Sequence, residues 1–329
     1  MLRRSTFPTL VALLVSVLLT ACSPRQMVLG SIADELAAQG QASESDLDLA
    51  REASAFYLKL SESVLRSDPG HRGLAESLAG GFTQYAYAFV AFEADRIETK
   101  DAKAAERLRR RAAQLYRRAH RHAMAALEKE SPGFARALNV PQAADWPKLA
   151  PAQVGLAYWA AASWGGWISL SKDDPDVVAD LPQAVRLTQL AWQANPAWGR
   201  GAMTGLLATF EASRPGGSPA QALVWYDQAI AQGGGSSAGA LVGKAEGYAQ
   251  LAGDRALFES LLKQAVAIKD APDSPQALQN EVMRRRAAWL LEQAPESIST
   301  KNCQHHLRHL YIACTHKHQL QHADLRRKR

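Results

Sequence analysis

The segment "AVRLTQLAWQANP" (184–196) is the first of three that together predict the fold. The segments "ALVWYDQAIAQGG" (222–234) and "SLLKQAVAIKDAP" (260–272) follow at a constant spacing of 38 residues. Each carries a small residue, a larger residue, a small residue and a helix breaker at offsets 0, 4, 7 and 12. The positions are Ala184, Thr188, Ala191 and Pro196, then Ala222, Tyr226, Ala229 and Gly234, then Ser260, Gln264, Ala267 and Pro272. This is the second-helix pattern of a tetratricopeptide repeat, in which small residues let paired helices approach closely.

The remaining sequence between residues 46 and 295 agrees with this interpretation. It is rich in Ala, Leu and Gln, has no clear period-2 stretch, and places Gly and Pro between apolar-periodic segments. An upstream copy follows Pro69, where Leu78, Ala79 and Phe82 have the spacing of a first repeat helix. We therefore predict an all-α, tetratricopeptide-like α-solenoid of about four degenerate helix pairs. Stacked pairs curve and leave a concave surface or a central channel.

The N-terminus predicts the compartment. Arg3 and Arg4 precede an apolar run, 7–19, that is shorter than the roughly 20 residues a membrane-spanning helix needs. The following Leu-Thr-Ala-Cys is typical of a bacterial lipoprotein signal, so residues 1–21 are a predicted signal peptide and Cys22 the predicted lipidation site. A plain signal peptide with an incidental Cys is the alternative. Ser23, in place of the Asp of an inner-membrane retention signal, favours the outer membrane, with the body in the periplasm. Residues 22–45 are predicted to be the lipidated N-terminus and a tether.

The other end, residues 296–329, is a His-, Lys- and Arg-rich tail. Residues 300–329 alone carry a net charge of +6, which is the formal charge of the whole chain, and the signal peptide carries +2, so residues 22–299 have a net charge of −2. The basic pI therefore gives no support for nucleic-acid binding. A metal site among the tail's His and Cys residues and a Cys303–Cys314 disulfide are alternatives. The favoured interpretation is an unstructured extension.

No motif in the body predicts catalysis, a metal site or a cofactor. The chain lacks GxSxG, HExxH, P-loop and dinucleotide-binding patterns, so we expect no enzymatic activity. Glu93, Asp95 and Glu98 are interpreted as a solvated helix face. The segment 103–130 is predicted to be a long helix with an apolar stripe and a charged outer face that carries Arg109, Arg110, Arg111, Arg117, Arg118 and Arg121.

The segment "AYWAAASWGGWISLSK" (157–172) carries four of the sixteen Trp and Tyr residues and no charge before Lys172. Its Gly and Ser residues argue against a membrane span, and its aromatic and small residues fall largely on opposite sides of a helix that is buried all round. Two roles remain open for the aromatic face, which either fills the core or lines a ligand pocket. The candidate ligand-binding residues are Tyr85, Tyr87, Tyr158, Trp159, Trp164 and Trp167.

Several stretches together resemble one family. They are "GFTQYAYAFVAFEADR" (81–96), "RRRAAQLYRRAHRHAMAALE" (109–128), the Trp-rich segment continued to residue 182, "DRALFESLL" (254–262) and "RRRAAWLLE" (284–292). These resemble the T component of tripartite ATP-independent periplasmic (TRAP) transporters, called TatT, over about residues 32–293. The C-terminal tail departs from the family pattern.

The resemblance implies a homotrimeric periplasmic lipoprotein that docks the substrate-binding P component of a TRAP system through its repeat surface. It also implies a small hydrophobic or organic-acid ligand. From the charge distribution and the missing motifs we expect neither a nucleic-acid partner nor a cofactor. Two alternatives remain, a stand-alone binder of hydrophobic or lipid-like ligands and a structural envelope scaffold.

Overall fold

The computed structural model describes residues 24–39, 44, 46–271, 274 and 276–297. Within these residues all regular structure is helical, so the all-α repeat prediction is confirmed. The signal peptide, Cys22 and all but the first residues of the tail lie outside the described residues, as does Pro272. Lipidation and the nature of the tail therefore stay predictions. Among the residues that the structure describes, none of the helices combines the length and the hydropathy that a membrane span requires.

The helices follow one another along the chain with short connections. In order they are α1 (Pro24–Gln39), α2 (Leu47–Ser67), α3 (Arg72–Tyr85), a π-helical turn (Ala86–Ala91), α4 (Phe92–Ile97), α5 (Ala102–Glu130), α6 (Phe134–Leu138), α7 (Val154–Ser169), α8 (Pro175–Ala179), α9 (Leu181–Ala194), α10 (Ala202–Ser213), α11 (Pro219–Gln232), α12 (Ala238–Lys244), a second π-helical turn (Ala245–Ala249), α13 (Gln250–Ala252), α14 (Arg255–Ala267) and α15 (Ala277–Ser297). Three-residue or four-residue 3₁₀ turns lie at Ala143–Asp145, Pro151–Gln153 and Trp198–Gly201.

Side-chain caps explain where several helices begin. Asp46 accepts hydrogen bonds from the backbone N–H groups of α2, and Asp101 accepts one from α5. Ser218 and Asp254 do the same for α11 and α14. Each cap satisfies backbone donors that have no partner inside the helix, which is worth about 1 kcal/mol per site. These starts follow from local chemistry alone.

The Trp-rich helix α7 lies at the centre of the larger core and packs against α3, α5 and α9. Three glycines permit this close packing. A methyl group at Gly80 on α3 would lie 2.8 Å from the Trp159 ring, and one at Gly165 would lie 2.9 Å from Phe210. One at Gly166 would lie 2.8 Å from the ring of Tyr116 on α5. A second core forms farther along the chain between α12, α14 and α15.

The repeat prediction is confirmed for the first two segments and wrong in register for the third. The small and larger residues of α9 and α11 are buried as expected. In α14, however, Ser260, Gln264 and Ala267 are exposed. The buried set with the same offsets is Phe258, Leu262 and Ala265, which lies two residues earlier and reduces the spacing to 36. Large apolar residues decide the buried face here, because they remove more apolar surface from water than small ones.

The tether predicted for residues 22–45 is wrong for the stretch 24–39, which forms helix α1. Ala33 is fully buried against the body. The hydroxyl of Tyr57 on α2 donates to the Leu36 carbonyl at 2.5 Å, and His71 Nε2 lies 3.0 Å from the Asp34 carboxylate. The many small and polar residues of this stretch suggested a flexible chain, but Ala at the contact lets α1 pack closely on α3.

Replacing Gly166 with Ala should destabilise the protein by about 1–3 kcal/mol. The added methyl group clashes with the Tyr116 ring, which is itself buried, and overpacking outweighs the gain of up to about 1 kcal/mol from helix propensity. Urea unfolding followed by circular dichroism measures the change. Gly205→Ala is the matched control, because its methyl group would meet only Ala229 Cβ, at 3.8 Å, and should leave stability unchanged or raised. Equal stability of the two variants would contradict the close-packing explanation.

Candidate functional site

Helix α7 places two of its tryptophans against a buried histidine. The Trp164 and Trp167 rings lie 4.4 and 6.2 Å from the His120 ring on α5. The Ala160 carbonyl can only accept, so His120 Nδ1–H donates to it at 3.1 Å. Burial lowers the pKa of His120 to about 4, although the hydrogen bond to Ala160 acts in the opposite direction. The imidazole is therefore neutral at neutral pH and belongs to the packing of α5 against α7.

Trp164 is part of the core. Only 7% of the residue is exposed, and its indole Nε1 is buried without a hydrogen bond of ordinary geometry. The nearby Asp180 carboxyl interacts with this N–H, but burial is the larger effect and raises the pKa of Asp180. A buried indole N–H with no good acceptor is costly to leave unpaired.

Tyr158 and Trp159 lie at the other end of α7, in a separate aromatic cluster completed by Trp198. The ring centroids are 4.8 Å apart for Tyr158 and Trp159, and 4.5 Å apart for Tyr158 and Trp198. All three residues are half-buried. Burial raises the pKa of Tyr158 to about 12, so its hydroxyl stays protonated. Trp198 comes from the 3₁₀ turn after α9, and nothing in the sequence placed it beside the Trp-rich helix.

The turn that carries Trp198 has an unusual backbone. Arg200 has a φ of 52°, the one positive φ at a non-glycine residue within the described part of the chain. Its guanidinium hydrogen-bonds to Gln276 and Ser236, at 2.9 and 3.2 Å. The neighbouring Gly201, with a φ of 98°, abuts the Ala229 carbonyl, where any side chain would clash. These contacts hold the turn, and hence Trp198, in one place.

Tyr85 and Tyr87 lie where α3 passes into its π-helical turn. Tyr85 is edge-on to Phe89, with centroids 5.3 Å apart, and Tyr87 lies under the Arg286 guanidinium at 5.6 Å. Both belong to a cluster around Tyr116 that Trp167 also contacts. The six candidate ligand-binding residues therefore occupy three places, and Trp167 joins two of them.

The structure reveals an ion-pair network that was not expected from the sequence. Arg286 on α15 pairs with Glu246 in the second π-helical turn through two bonds, of 2.9 and 2.6 Å. It also donates to Asp95 on α4 at 3.2 Å. Asp95 and Glu98 in turn bind Arg109 on α5, at 3.4 and 2.7 Å. The guanidinium of Arg286 also lies over Tyr87, Phe92 and Trp289.

Two predictions about these residues are wrong. Asp95 and Glu98 do not belong to a solvated face, and Arg109 is only 8% exposed. A charged stripe on a helix looks the same in sequence whether water or an opposite charge faces it. Other arginines of α5 also make contacts, since Arg118 pairs with Glu62 on α2 and Arg117 lies over Trp167 at 5.4 Å.

Each charged group of the network lies beside an opposite charge. It contains two guanidinium groups and the three carboxylates of Asp95, Glu98 and Glu246. Burial opposes the charge of Arg286, but the Glu246 carboxylate and its other partners outweigh this and raise its pKa well above the ordinary value. Because both guanidinium groups are already paired with carboxylates, neither is a free cation for an anionic ligand.

Neither a metal-binding cluster nor a surface depression supplies a further candidate site in the described part of the chain. No group of three or more His, Cys, Asp or Glu side chains in the described ranges is arranged to hold a metal ion. An open depression of 490 Å³ lies on α14, lined by Ala256, Glu259, Ser260, Lys263, Gln264 and Ala267. None of the six candidate aromatic residues lines it.

Comparison with known proteins decides the family. Residues 43–297, which include the Trp-rich helix and the whole ion-pair network, match the family described as TRAP transporter T-component. The chain belongs to the TRAP transporter T-component family. It is also 26% identical over 254 residues to an uncharacterized protein of Treponema pallidum (strain Nichols), covering 75% of this chain and 79% of that protein. T components are extracytoplasmic accessory proteins of TRAP transporters, so the T-component chain described here belongs to transport.

Replacing Arg286 with Ala should lower the free energy of unfolding of this T component by about 3–5 kcal/mol. The change removes the cation that pairs with the Glu246 carboxylate and leaves Asp95 with Arg109 alone of its two arginines, and uncompensated charge in a largely buried site is strongly destabilising. The adjacent Arg285 is the control, because it is exposed and its ion pair within the described part of the chain is with Glu281 on its own helix. Arg285→Ala should change stability by no more than about 0.5 kcal/mol in the same urea titration. If both variants lose a similar free energy of unfolding, the ion-pair network contributes no more to stability than an exposed surface pair does.

Proposed function

We propose that this T component is a periplasmic lipoprotein, anchored to the outer membrane through Cys22, that docks the P component of a TRAP system. The observation that carries the proposal is the family match across 43–297, which covers nearly all of the described helices. The lipobox-like Leu-Thr-Ala-Cys and the short apolar run before it support the anchor. A homotrimer, as the resemblance implies, is part of the proposal.

The outer face of α2 is the docking surface that we favour. Leu49, Phe56 and Leu60 lie along one face of the helix, and each is more than 40% exposed. Their spacing of 7 and 4 residues aligns them in a row. Phe56, at 73% exposure, is the most exposed large hydrophobic residue of the described helices. Large apolar side chains in a row on the surface mark interaction sites more often than isolated ones do. The family's association with TRAP components favours the P component as the occupant.

Co-purification tests the docking directly. The full chain should retain a TRAP P component of the same organism at micromolar concentration, and Phe56→Asp should weaken the association at least tenfold because a charge replaces a buried contact. Val224→Asp is the matched control, since Val224 is exposed on α11, away from α2. Size-exclusion chromatography with light scattering is run on both variants.

No retention of any P component by the unmodified chain would refute the adaptor function. If Phe56→Asp instead lowers the oligomeric mass and leaves P-component binding intact, the α2 row is a contact between copies of this chain, and the docking surface lies elsewhere.

We further propose that the T component binds a small ligand, and that the half-buried cluster of Tyr158, Trp159 and Trp198 contacts it. This cluster combines large apolar surfaces with polar tips, which is the usual composition of a small-molecule site. Passing that ligand to the P component is the function we favour. Stand-alone binding of a lipid-like molecule is the alternative, and it requires the ligand but no P component. A structural envelope scaffold requires neither.

Tyr158→Phe removes the hydroxyl and keeps the ring packed against Trp159 and Trp198, so it should weaken ligand binding by roughly three- to tenfold, about the loss of one hydrogen bond, while the melting temperature stays near that of the unmodified chain. Binding of octanol and octanoate is followed by the intrinsic Trp fluorescence. Trp164→Ala is the contrasting variant, because loss of a core side chain should cost about 3–5 kcal/mol of stability. Octanol binding at least as tightly as octanoate would favour a hydrophobic ligand, and tighter octanoate binding would favour an organic acid. A full chain that binds neither probe, and carries no small molecule in native mass spectrometry, would contradict the ligand proposal.

A further inference from the structure

Helix α1 exposes three large apolar side chains close to the predicted lipidation site. Met27 is 72% exposed, Val28 59% and Ile32 43%. The first residue of the helix, Pro24, follows Cys22 by only two positions. Three such side chains within six residues are more than the scattered apolar residues that ordinary surfaces carry.

The helix cannot turn these side chains inward, because its opposite face is fixed to the body. Ala33 is fully buried, and Leu36 packs against the larger core. Tyr57 and His71 hold α1 through Leu36 and Asp34, as described above. The exposed face is therefore a permanent outer surface of the folded protein.

The apolar character of this outer face declines with distance from Cys22. At 100° per residue, Met27, Val28 and Ile32 span about 140° of arc. Glu35 and Gln39 fall on the same arc in the last turns of α1, and both are exposed. The large apolar side chains of the arc therefore lie at the end near Cys22, with Ser31 among them, and the far end carries Glu35, Ala38 and Gln39. A protein partner would not require the apolar side chains to lie close to Cys22. A membrane that holds the Cys22 lipid does require this, because it contacts the end of α1 nearest to Cys22.

We propose that the Met27–Val28–Ile32 face of α1 rests on the lipid bilayer and sets the orientation of the protein on the membrane. The inference depends on the lipid anchor proposed above. Two residues span at most about 7 Å, so an acylated Cys22 brings the start of α1 to the bilayer surface. The side chains then enter the boundary between headgroups and acyl chains, as in other interfacial helices. Because α1 is docked on α2 and α3, the body is held in one orientation and does not swing on a tether.

Quenching by lipid tests the contact in the full lipidated chain. The fluorophore NBD is attached at Ser31→Cys, which lies on the exposed arc, in a background with Cys303→Ser and Cys314→Ser. A second protein carries the label at Ala256→Cys, an exposed position on α14. Both are reconstituted in vesicles of phosphatidylethanolamine and phosphatidylglycerol that contain nitroxide-labelled lipid. The label at residue 31 should be quenched at least threefold more than the label at residue 256.

A triple variant, Met27→Ser, Val28→Ser and Ile32→Ser, should reduce the quenching at residue 31 to the level at residue 256. It should still float with the vesicles, because the acyl chains remain. Val224→Ser with Val266→Ser removes two exposed valines from other helices and should leave the quenching unchanged.

The outcomes separate this inference from the anchor on which it depends. Protein that floats with the vesicles, but shows equal quenching at both labels, overturns the membrane contact and leaves the anchor intact. A mass spectrum without acyl chains on Cys22 overturns the anchor and the inference together. A third outcome is a change in the fluorescence of the residue 31 label that depends on protein concentration and is the same without nitroxide lipid. It would show that a second copy of the chain covers α1, and it also overturns the inference.

Discussion

The pairing of Arg286 with Glu246 and Asp95 joins parts of the chain that simple stacking would leave apart. In an open solenoid each repeat contacts only its neighbours. Here the last described helix, α15, binds α4 through a contact between residues 191 positions apart, and Trp289 packs edge-on against Phe92 with ring centroids 5.7 Å apart. The two π-helical turns supply Tyr87 and Glu246 to this junction. A π-helical turn changes the direction of the side chains that follow it, and such turns often occur at functional sites.

The junction between α15 and α4 limits which surfaces of the T component can contact a ligand. The charges at the junction are already paired, so removing one partner is costly, and neither guanidinium group is free to attract an anion. The Trp-rich helix contributes Trp164 to the core through the glycine contacts with Tyr116 and Phe210. That leaves the half-buried aromatic cluster at the start of α7 as the better candidate for ligand contact, because its side chains retain some access to the surface.

The two exposed apolar faces suggest different roles for the two ends of the N-terminal segment. The face of α1 is next to Cys22 and fits a lipid surface, and the row on α2 begins a loop later and fits a protein partner. An accessory protein that is held rigidly on the membrane presents its docking surface in a constant direction. This lowers the orientational cost of association with a partner that diffuses in the same compartment.

The sequence by itself determined the helices, several of their starts and the family. N-caps such as Asp46 and Asp101 act over three residues, and the repeated small residues of α9 and α11 act within one helix, so both are visible locally. Only the tertiary structure decided the register of α14, the docking of α1, the place of Trp198 and the pairing of Arg286. These depend on which residues meet across long separations. A run of arginines or of small polar residues reads the same in sequence whether it faces water, an opposite charge or another helix.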